Sequence, residues 1–174
     1  ELTKLNLTKS DTILGIAAGG TTPYVLGALK IAKAIEPQVL TGLICCSPPF
    51  EKTVADHIMI IRTGPEIVTG STRMKAGTAT KLALNTISTT LMIRSGRVYH
   101  NLMVDLKATN NKLRDRGARI IAALTELSRE ECFDLLNQAD GDLKAAIIIY
   151  MRRVNLSEAK KLLVDADGQL GRLL

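Results

Sequence analysis

Three short apolar segments near the start of the chain restrict its possible folds more than any other feature. They cover residues 11–18, 39–46 and 57–62, and their length and composition are typical of buried β-strands. A helical pattern runs from Pro23 to about Ile35 between the first two, and residues 51–56 are predicted to form a short helix before the third. Strands that alternate with helices indicate a parallel sheet with helices on both faces. We therefore predict an α/β fold built as a sandwich of helix, sheet and helix.

The rest of the chain is predicted to be helical. One long helix is predicted from Thr72 to about Arg94, and further helices are predicted from Asp105 onward. Three short helices are predicted in the last part of the chain. The polar segments that cap or break them are Ser128–Glu131, Asp140–Asp142 and Asn155–Ser157. We predict two domains, a sheet domain over residues 1–124 and a small helical domain over residues 125–174.

The turn after the first strand has the composition of an anion-binding turn. Gly19 and Gly20 allow a ligand to approach the backbone, Thr21 and Thr22 offer hydroxyls, and Pro23 suits the first position of the following helix. A nucleotide P-loop requires a lysine where this chain has Thr21, so a single phosphate monoester is the better match. An ordinary tight turn between strand and helix explains the same residues, and the sequence leaves both interpretations open.

A second candidate anion site precedes the long helix. Ser71 or Thr72 is predicted to be its N-cap, and Arg73 and Lys75 add positive charge where the first turn exposes its N–H groups. Glu66 either faces this site or is an exposed loop residue. The alternative for the whole segment is an ordinary capped helix with solvated cations. Because both turns follow strands of one parallel sheet, we expect them to converge on one ligand.

Charge and aromatic content give little support to nucleic-acid binding. The net charge is +6, with a pI near 9.4, but Lys and Arg are spread along the chain. Aromatic residues make up 3% of the sequence, too few for the stacking surfaces of single-strand binders. We predict no nucleic-acid partner.

The cysteines and histidines indicate neither a metal site nor a catalytic triad. Cys45 and Cys46 lie in an apolar segment and Cys132 in a helical pattern, so reduced, buried thiols are expected. His57 and His100 have no carboxylate or thiol at ligand spacing and no partner at triad spacing. We predict no metal and assign no catalytic residue.

The sequence has no apolar segment of the roughly 18 residues that a membrane span needs. It also does not open on a secretory signal, so we expect a cytoplasmic protein without a membrane partner. The chain begins at Glu1 in the middle of a pattern, and we expect further residues before it.

Three segments resemble the N-acetylmuramic acid 6-phosphate etherase family. They are Gly64–Lys81, containing GPE and GSTRMK; Asn101–Asp105, which reads NLMVD; and Ala108–Asn110. The related glucokinase regulatory protein shares the GPE and GS-[ST]-RMK pattern. The NLMVD segment and the helices after Ser128 favour the etherase, whose carboxyl-terminal portion the chain resembles.

The resemblance implies a partial sugar isomerase (SIS) fold followed by a bundle similar to a ubiquitin-associated domain. It also implies a homodimeric carbon–oxygen lyase of cell-wall recycling. Such an enzyme cleaves the D-lactyl ether of N-acetylmuramic acid 6-phosphate to N-acetylglucosamine 6-phosphate and D-lactate. A glutamate serves as acid and base in an elimination, water then adds to the unsaturated intermediate, and no cofactor is needed.

This chain departs from the family pattern at several positions. Gly19 replaces a Ser, Thr21 replaces an Arg, and Ser47 and Pro48 stand where the family has Asn-Pro. The family's two catalytic glutamates are expected before Glu1, so the chain as given is expected to lack them. The predicted contacts to an amino-sugar 6-phosphate or its pocket are Gly19, Gly20, Thr21, Thr22, Ser71, Thr72, Arg73 and Lys75.

Two non-catalytic functions remain as alternatives. One is a sugar-phosphate-binding regulatory protein, since the regulator shares the central motif. The other is a helical interaction module with a vestigial half-domain.

Overall fold

A computed structural model describes residues 2–49 and 54–174. Its strands are β1 (Thr12–Ile16), β2 (Leu40–Cys45), β3 (His57–Ile60), β4 (Val98–Tyr99) and β5 (Leu102–Met103). Its α-helices are α1 (Pro23–Ile35), α2 (Lys75–Arg94), α3 (Asn111–Leu124), α4 (Arg129–Gln138), α5 (Leu143–Arg152) and α6 (Leu156–Asp165). Short 3₁₀ helices occupy Leu2–Lys4 and Leu170–Arg172. The helix predicted at residues 51–56 falls largely outside the described residues. The chain forms two compact units, Glu1–Thr86 and Ile87–Leu174.

The first unit contains the predicted parallel sheet. β2 lies between β1 and β3 and pairs with both in parallel, with Thr12 opposite Leu40 and Gly42 opposite His57. α1 packs so closely on β1 that a Cβ at Gly15 would lie 2.7 Å from Val25 Cγ1. The prediction of an α/β fold with a parallel sheet is therefore confirmed.

Burial within this sheet is less complete than the strand sequences predict. β2 is buried from Thr41 to Cys45 because it has a strand on each side. β1 and β3 form the edges, where Ile16 is 41% exposed and Met59 and Ile60 are each 38% exposed. The expectation that these strands are covered on both faces is thus wrong for the two edge strands.

A charged network ties α1, β2 and the entry to β3 together. Asp56 Oδ2 accepts hydrogen bonds from the Thr41 backbone N–H and hydroxyl, at 2.8 and 2.9 Å. The same oxygen lies 2.7 Å from Lys33 Nζ. The Lys33 ammonium and the Thr41 donors lower the pKa of Asp56 to about 2. Thr41 is fully buried, so this network satisfies a polar group that would otherwise be unpaired inside the unit.

The second unit is a helical bundle with a small antiparallel hairpin, β4–β5. Its core includes Ile121 of α3, Leu136 of α4 and Ile147 of α5, all with no exposed surface. The predicted breaks are confirmed, because Ser128 and Glu131 form a capping box and Asp142 caps α5. α3, which the sequence predicts in the first domain, packs in this core, so the compact unit begins well before the predicted boundary after Leu124.

The helix predicted from Asp105 begins only at Asn111. Asn110 Oδ1 caps it by accepting from the Leu113 N–H at 3.0 Å. The preceding segment is extended because it pairs with the turn between α4 and α5. The Ala108 N–H donates to the Gly141 carbonyl at 2.8 Å, and the Leu143 N–H donates to the Leu106 carbonyl at 3.1 Å.

The long helix α2 buries little of its surface. Ala76 is the buried residue among its 20, and Leu82, Leu91, Met92 and Ile93 are exposed. Its residues up to Thr86 belong to the first unit and those from Ile87 to the second. The long helix is confirmed, although it begins at Lys75 rather than Thr72, and several of its apolar residues are exposed in the single chain.

Candidate functional site

The turn between β1 and α1 is held tightly by backbone contacts. The Gly20 N–H donates to the Ala17 carbonyl at 2.9 Å, and Gly20 adopts a φ of +69°. A Cβ there would lie 3.3 Å from both Pro49 Cα and the Ser47 carbonyl oxygen. Gly20 is therefore required by its conformation and by the close passage of the segment after β2.

The hydroxyls predicted to contact a ligand in this turn are exposed. Thr22 is the N-cap of α1, and its carbonyl accepts from the N–H groups of Val25 and Leu26. Its side chain makes no capping hydrogen bond. Thr21 and Thr22 are both exposed, and Pro23 holds the predicted first helical position. The threonine hydroxyls are thus available to an external partner.

Both candidate turns are connected to the carboxyl end of β2. The N–H groups of Cys46 and Ser47 both donate to the Ala18 carbonyl in the first turn, at 2.8 and 3.2 Å. Cys46 Sγ also lies 3.8 Å from the carbonyl oxygen of Ala76 and from the hydroxyl of Thr80, in the first turns of α2. The start of α2 therefore lies at the same edge of the sheet as the first turn, as expected for ends of parallel strands.

The turn into α2 differs from its prediction. The Ser71 N–H donates to the Val68 carbonyl at 3.0 Å in a tight turn, and α2 begins at Lys75. Ser71 and Thr72 are therefore not its N-cap, because the residues before Lys75 still form turns. Ser71 is half-buried, while Thr72 and Arg73 are exposed.

Glu66 occupies the N-terminus of α2. Its carboxylate accepts from the Lys75 N–H at 3.0 Å and from the Ala76 N–H at 3.1 Å. These two backbone donors are the main cause of a lowered pKa at Glu66. Lys75 Nζ donates to the Pro65 carbonyl at 2.9 Å, and this second hydrogen bond also holds the loop to the start of α2.

Of the two positions that the sequence left open for Glu66, the structure shows the one that faces the second candidate site, but its hydrogen bonds to the helix had no local signal. A capping box places its glutamate inside the helix, three residues after the cap, whereas Glu66 reaches Lys75 across nine residues of loop. The contact of Ser47 and Pro49 with Gly20 was also missed, because it joins segments that follow two different strands.

A hollow in the first unit lies away from this edge of the sheet. It has a volume of about 660 Å³ and lies beside α1, with Leu2, Tyr24 and Ile31 in its lining. Pro23 is the part of the first turn that it reaches. Among the candidate phosphate contacts, Gly20 is buried and Ser71 is half-buried, and the others are exposed.

The titratable groups of the described residues form no metal centre. Within residues 2–49 and 54–174, no three His, Cys, Asp or Glu side chains lie close enough to hold an ion. Cys45 and Cys132 are buried, and burial raises the pKa of both thiols. Over the same residues, no helix combines the length and apolar character that crossing a bilayer demands.

Comparisons with known proteins agree with the motif resemblance. A family model described as the C-terminal lid domain of glucokinase regulatory protein matches residues 100–145. The chain is 45% identical to N-acetylmuramic acid 6-phosphate etherases of Rhodopirellula baltica and Geobacillus thermodenitrificans, over 100% of its own length. It is 48% identical to that of Photorhabdus laumondii over 97% of its length.

The chain spans 57%, 59% and 56% of the lengths of these three relatives, respectively. The match lies in their carboxyl-terminal portion. The predicted resemblance is confirmed: this chain is similar over essentially its whole length to curated N-acetylmuramic acid 6-phosphate etherases.

Proposed function

We propose that this chain is the carboxyl-terminal portion of a cytoplasmic N-acetylmuramic acid 6-phosphate etherase. The observation that carries the proposal is 45% identity along the whole chain to relatives of that name. In this proposal the first unit is part of a sugar isomerase (SIS) sandwich, and the terminal helices form the bundle similar to a ubiquitin-associated domain.

The proposed reaction is carbon–oxygen lysis in cell-wall recycling. The substrate gives a proton to the acid/base glutamate that the family supplies, the bond from C3 to the lactyl oxygen breaks, and D-lactate leaves as that oxygen takes up a proton. Water then adds to the unsaturated sugar and gives N-acetylglucosamine 6-phosphate. We assign no residue of this chain to the proton transfers and propose that its part is to hold the sugar phosphate.

The structural support for phosphate binding lies in the turn before α1. Thr21 and Thr22 are exposed, and the Thr22 side chain makes no capping bond that a ligand would have to break. Gly20 brings the backbone into contact with Ser47 and Pro49, which gives the turn a defined shape. The remaining proposed contacts lie around the start of α2, at Ser71, Thr72, Arg73 and Lys75.

A homodimer is part of the proposal. The exposed apolar residues of α2, which include Leu82, Leu91 and Met92, are the kind of surface that a partner covers. A second copy of the protein is the proposed partner.

The reaction is tested with the intact gene product and N-acetylmuramic acid 6-phosphate. We expect D-lactate to be released in step with N-acetylglucosamine 6-phosphate. A protein that binds the sugar phosphate and releases no D-lactate would contradict the enzymatic proposal.

The binding role of this chain is tested by calorimetric titration with N-acetylglucosamine 6-phosphate. The double variant T21V/T22V removes both hydroxyls and is expected to weaken binding about tenfold or more, since each lost bond to a charged group is worth roughly 1.5–3 kcal/mol. Thr90→Val is the matched control, because it removes an exposed hydroxyl near the end of α2. Equal affinities of the double variant and the control would overturn the proposed contacts.

The alternative function is a non-catalytic, sugar-phosphate-binding regulator. Its support is the match of residues 100–145 to the lid domain of glucokinase regulatory protein. The etherase names of the relatives aligned to the whole chain do not favour it. Co-purification with a sugar kinase that depends on the sugar phosphate would reverse this preference.

A further inference from the structure

Two stretches of the chain carry opposite charges. Residues 67–104, which include α2, contain no Asp or Glu, and their basic residues are Arg73, Lys75, Lys81, Arg94 and Arg97. Residues 126–142, which include α4, contain the acidic residues Glu126, Glu130, Glu131, Asp134, Asp140 and Asp142. Arg129 is the basic residue of this second stretch, and it is engaged in an ion pair with Asp115. The two stretches are therefore complementary in charge.

A groove with an apolar lining lies between α4 and α5, beside the acidic stretch. It has a volume of about 450 Å³, and we call it the α4–α5 groove. Its apolar lining is Leu127, Leu135, Ile149 and Tyr150, and its charged lining is Glu131, Asp134 and Arg153. Tyr150 is 38% exposed, so the single chain leaves the groove open. Within the described part of the chain, no ion pair engages the Asp134 carboxylate.

The carboxyl-terminal half of α2 has the pattern of a helix that lies in a groove. Ile87, Leu91 and Arg94 are four and three residues apart, so they lie on one side of the helix. Ile87 is half-buried and Leu91 is 56% exposed. Apolar residues at this spacing are the anchors by which a helix binds an apolar groove, and Arg94 adds a cation beside them.

We infer that α2 of one copy docks in the α4–α5 groove of a second copy. The inference rests on the proposed function, of which the homodimer is a part, and it names the surface that covers α2. Leu91 meets the apolar lining of the groove, and Arg94 faces the Asp134 carboxylate. The occupant comes from another molecule, because Leu91 and Tyr150 both stay exposed in the single chain. In a dimer with two-fold symmetry each copy offers both surfaces, so the contact forms twice.

The first test is cross-linking between two differently tagged copies of the intact gene product. One copy carries Leu91→Cys and the other carries Asp134→Cys, both at exposed positions, and a short bismaleimide joins thiols that lie close together. The native Cys132 of the helical unit is buried. We expect a product that contains both tags.

The matched control replaces Asp134→Cys with Lys160→Cys, an exposed position on α6 outside the groove. It is expected to give little product with Leu91→Cys. Equal yields from the two pairs would overturn the inference, because the thiols would then meet without a specific contact.

The second test reverses the charges of the proposed pair and follows self-association by sedimentation. Arg94→Glu and Asp134→Lys are each expected to weaken dimer formation about tenfold, since each reversal turns an exposed attraction into a repulsion in both copies of the contact. The double variant R94E/D134K is expected to recover to within about twofold of the unaltered protein, because the pair is restored in reverse. Asp165→Lys, at an exposed position of α6, is the matched control and should change nothing.

The outcomes separate this contact from the proposals on which it rests. A dimer that forms no cross-link at Asp134→Cys and shows no recovery in the double variant would overturn the contact and leave the homodimer standing. A protein that stays monomeric would overturn both, and binding of that monomer to vesicles of anionic lipid would identify a lipid surface as the partner of α2 instead. Release of D-lactate, measured on the same unaltered protein, tests the enzymatic proposal independently.

Discussion

The two units of this chain reach very different degrees of burial. The helical unit has a core cluster of eighteen buried residues, while the cluster of the sheet unit contains four, Ala17, Leu29, Leu43 and Cys45, among the residues described. A helical bundle covers its apolar faces with neighbouring helices, whereas a parallel sheet needs cover on both faces and along its edges. Stability is therefore expected to be concentrated in the helical unit.

The largest expected effect comes from truncating the same residue type in a core and on α2. Leu136 of α4 has no exposed surface, and Leu136→Ala is expected to reduce the free energy of unfolding by about 2–5 kcal/mol. Leu82 of α2 is 56% exposed in the single chain, and at protein concentrations low enough to keep the chain monomeric Leu82→Ala is expected to change the free energy of unfolding by less than about 0.5 kcal/mol. Urea denaturation followed by circular dichroism measures both.

A large loss in Leu82→Ala under these monomeric conditions would contradict the comparison, because it would mean that the chain itself buries α2. Repeating the measurement across a range of protein concentrations would then tell whether a second copy covers the helix, since only association makes the midpoint depend on concentration.

A smaller effect is expected from two glycines of the sheet unit. Gly15→Ala would place a Cβ 2.7 Å from Val25 Cγ1, and overpacking of this kind is expected to destabilise by about 1–3 kcal/mol. Gly27→Ala on α1 is the matched control, since no atom beyond its chain neighbours and the backbone of its own helix lies within 4 Å of its Cβ position. It is expected to stabilise by about 0.4–1 kcal/mol, because alanine restricts the unfolded chain. Thermal unfolding of the two variants should therefore shift in opposite directions.

Structural features that depend on residues close in sequence were predicted correctly. Pro23 begins α1, and Ser128 with Glu131 forms the predicted capping box. Each of these features is decided by residues within one helical turn. The position of the first candidate turn, between a strand and a helix, was predictable for the same reason.

Features that depend on distant partners were not predictable. Leu106 and Ala108 are extended because they pair with Leu143 and Gly141, more than thirty residues away. The helical spacing of α2 predicted its apolar face, but spacing does not say whether another surface covers that face. The sequence allowed Glu66 to face the second candidate site, but it did not predict the hydrogen bonds to α2, because only the path of the loop brings the Glu66 carboxylate to Lys75.

The smallest expected effect compares the acid sensitivity of the two units. The folded-state pKa of Asp56 is about 2, below the ordinary value of 3.8, because of Lys33 and Thr41. The ion pair therefore stabilises the sheet unit fully above about pH 4, and this contribution is lost as the pH falls from about 4 towards 2. Asp56→Asn should destabilise the unit at neutral pH and flatten its stability profile over that range.

Asp115 provides the counterpart in the helical unit, where Arg129 and Arg119 lower its pKa. Asp115→Asn should leave the pH profile of the sheet unit unchanged, since Arg119 and Arg129, the ion-pair partners of Asp115, both lie in the helical unit. Amide hydrogen exchange between pH 2 and pH 5 follows each unit separately. The Asp56 carboxylate accepts from the Thr41 N–H, so its protonation is expected to weaken β2. Equal losses of acid sensitivity in β2 from Asp56→Asn and Asp115→Asn would contradict this role of Asp56.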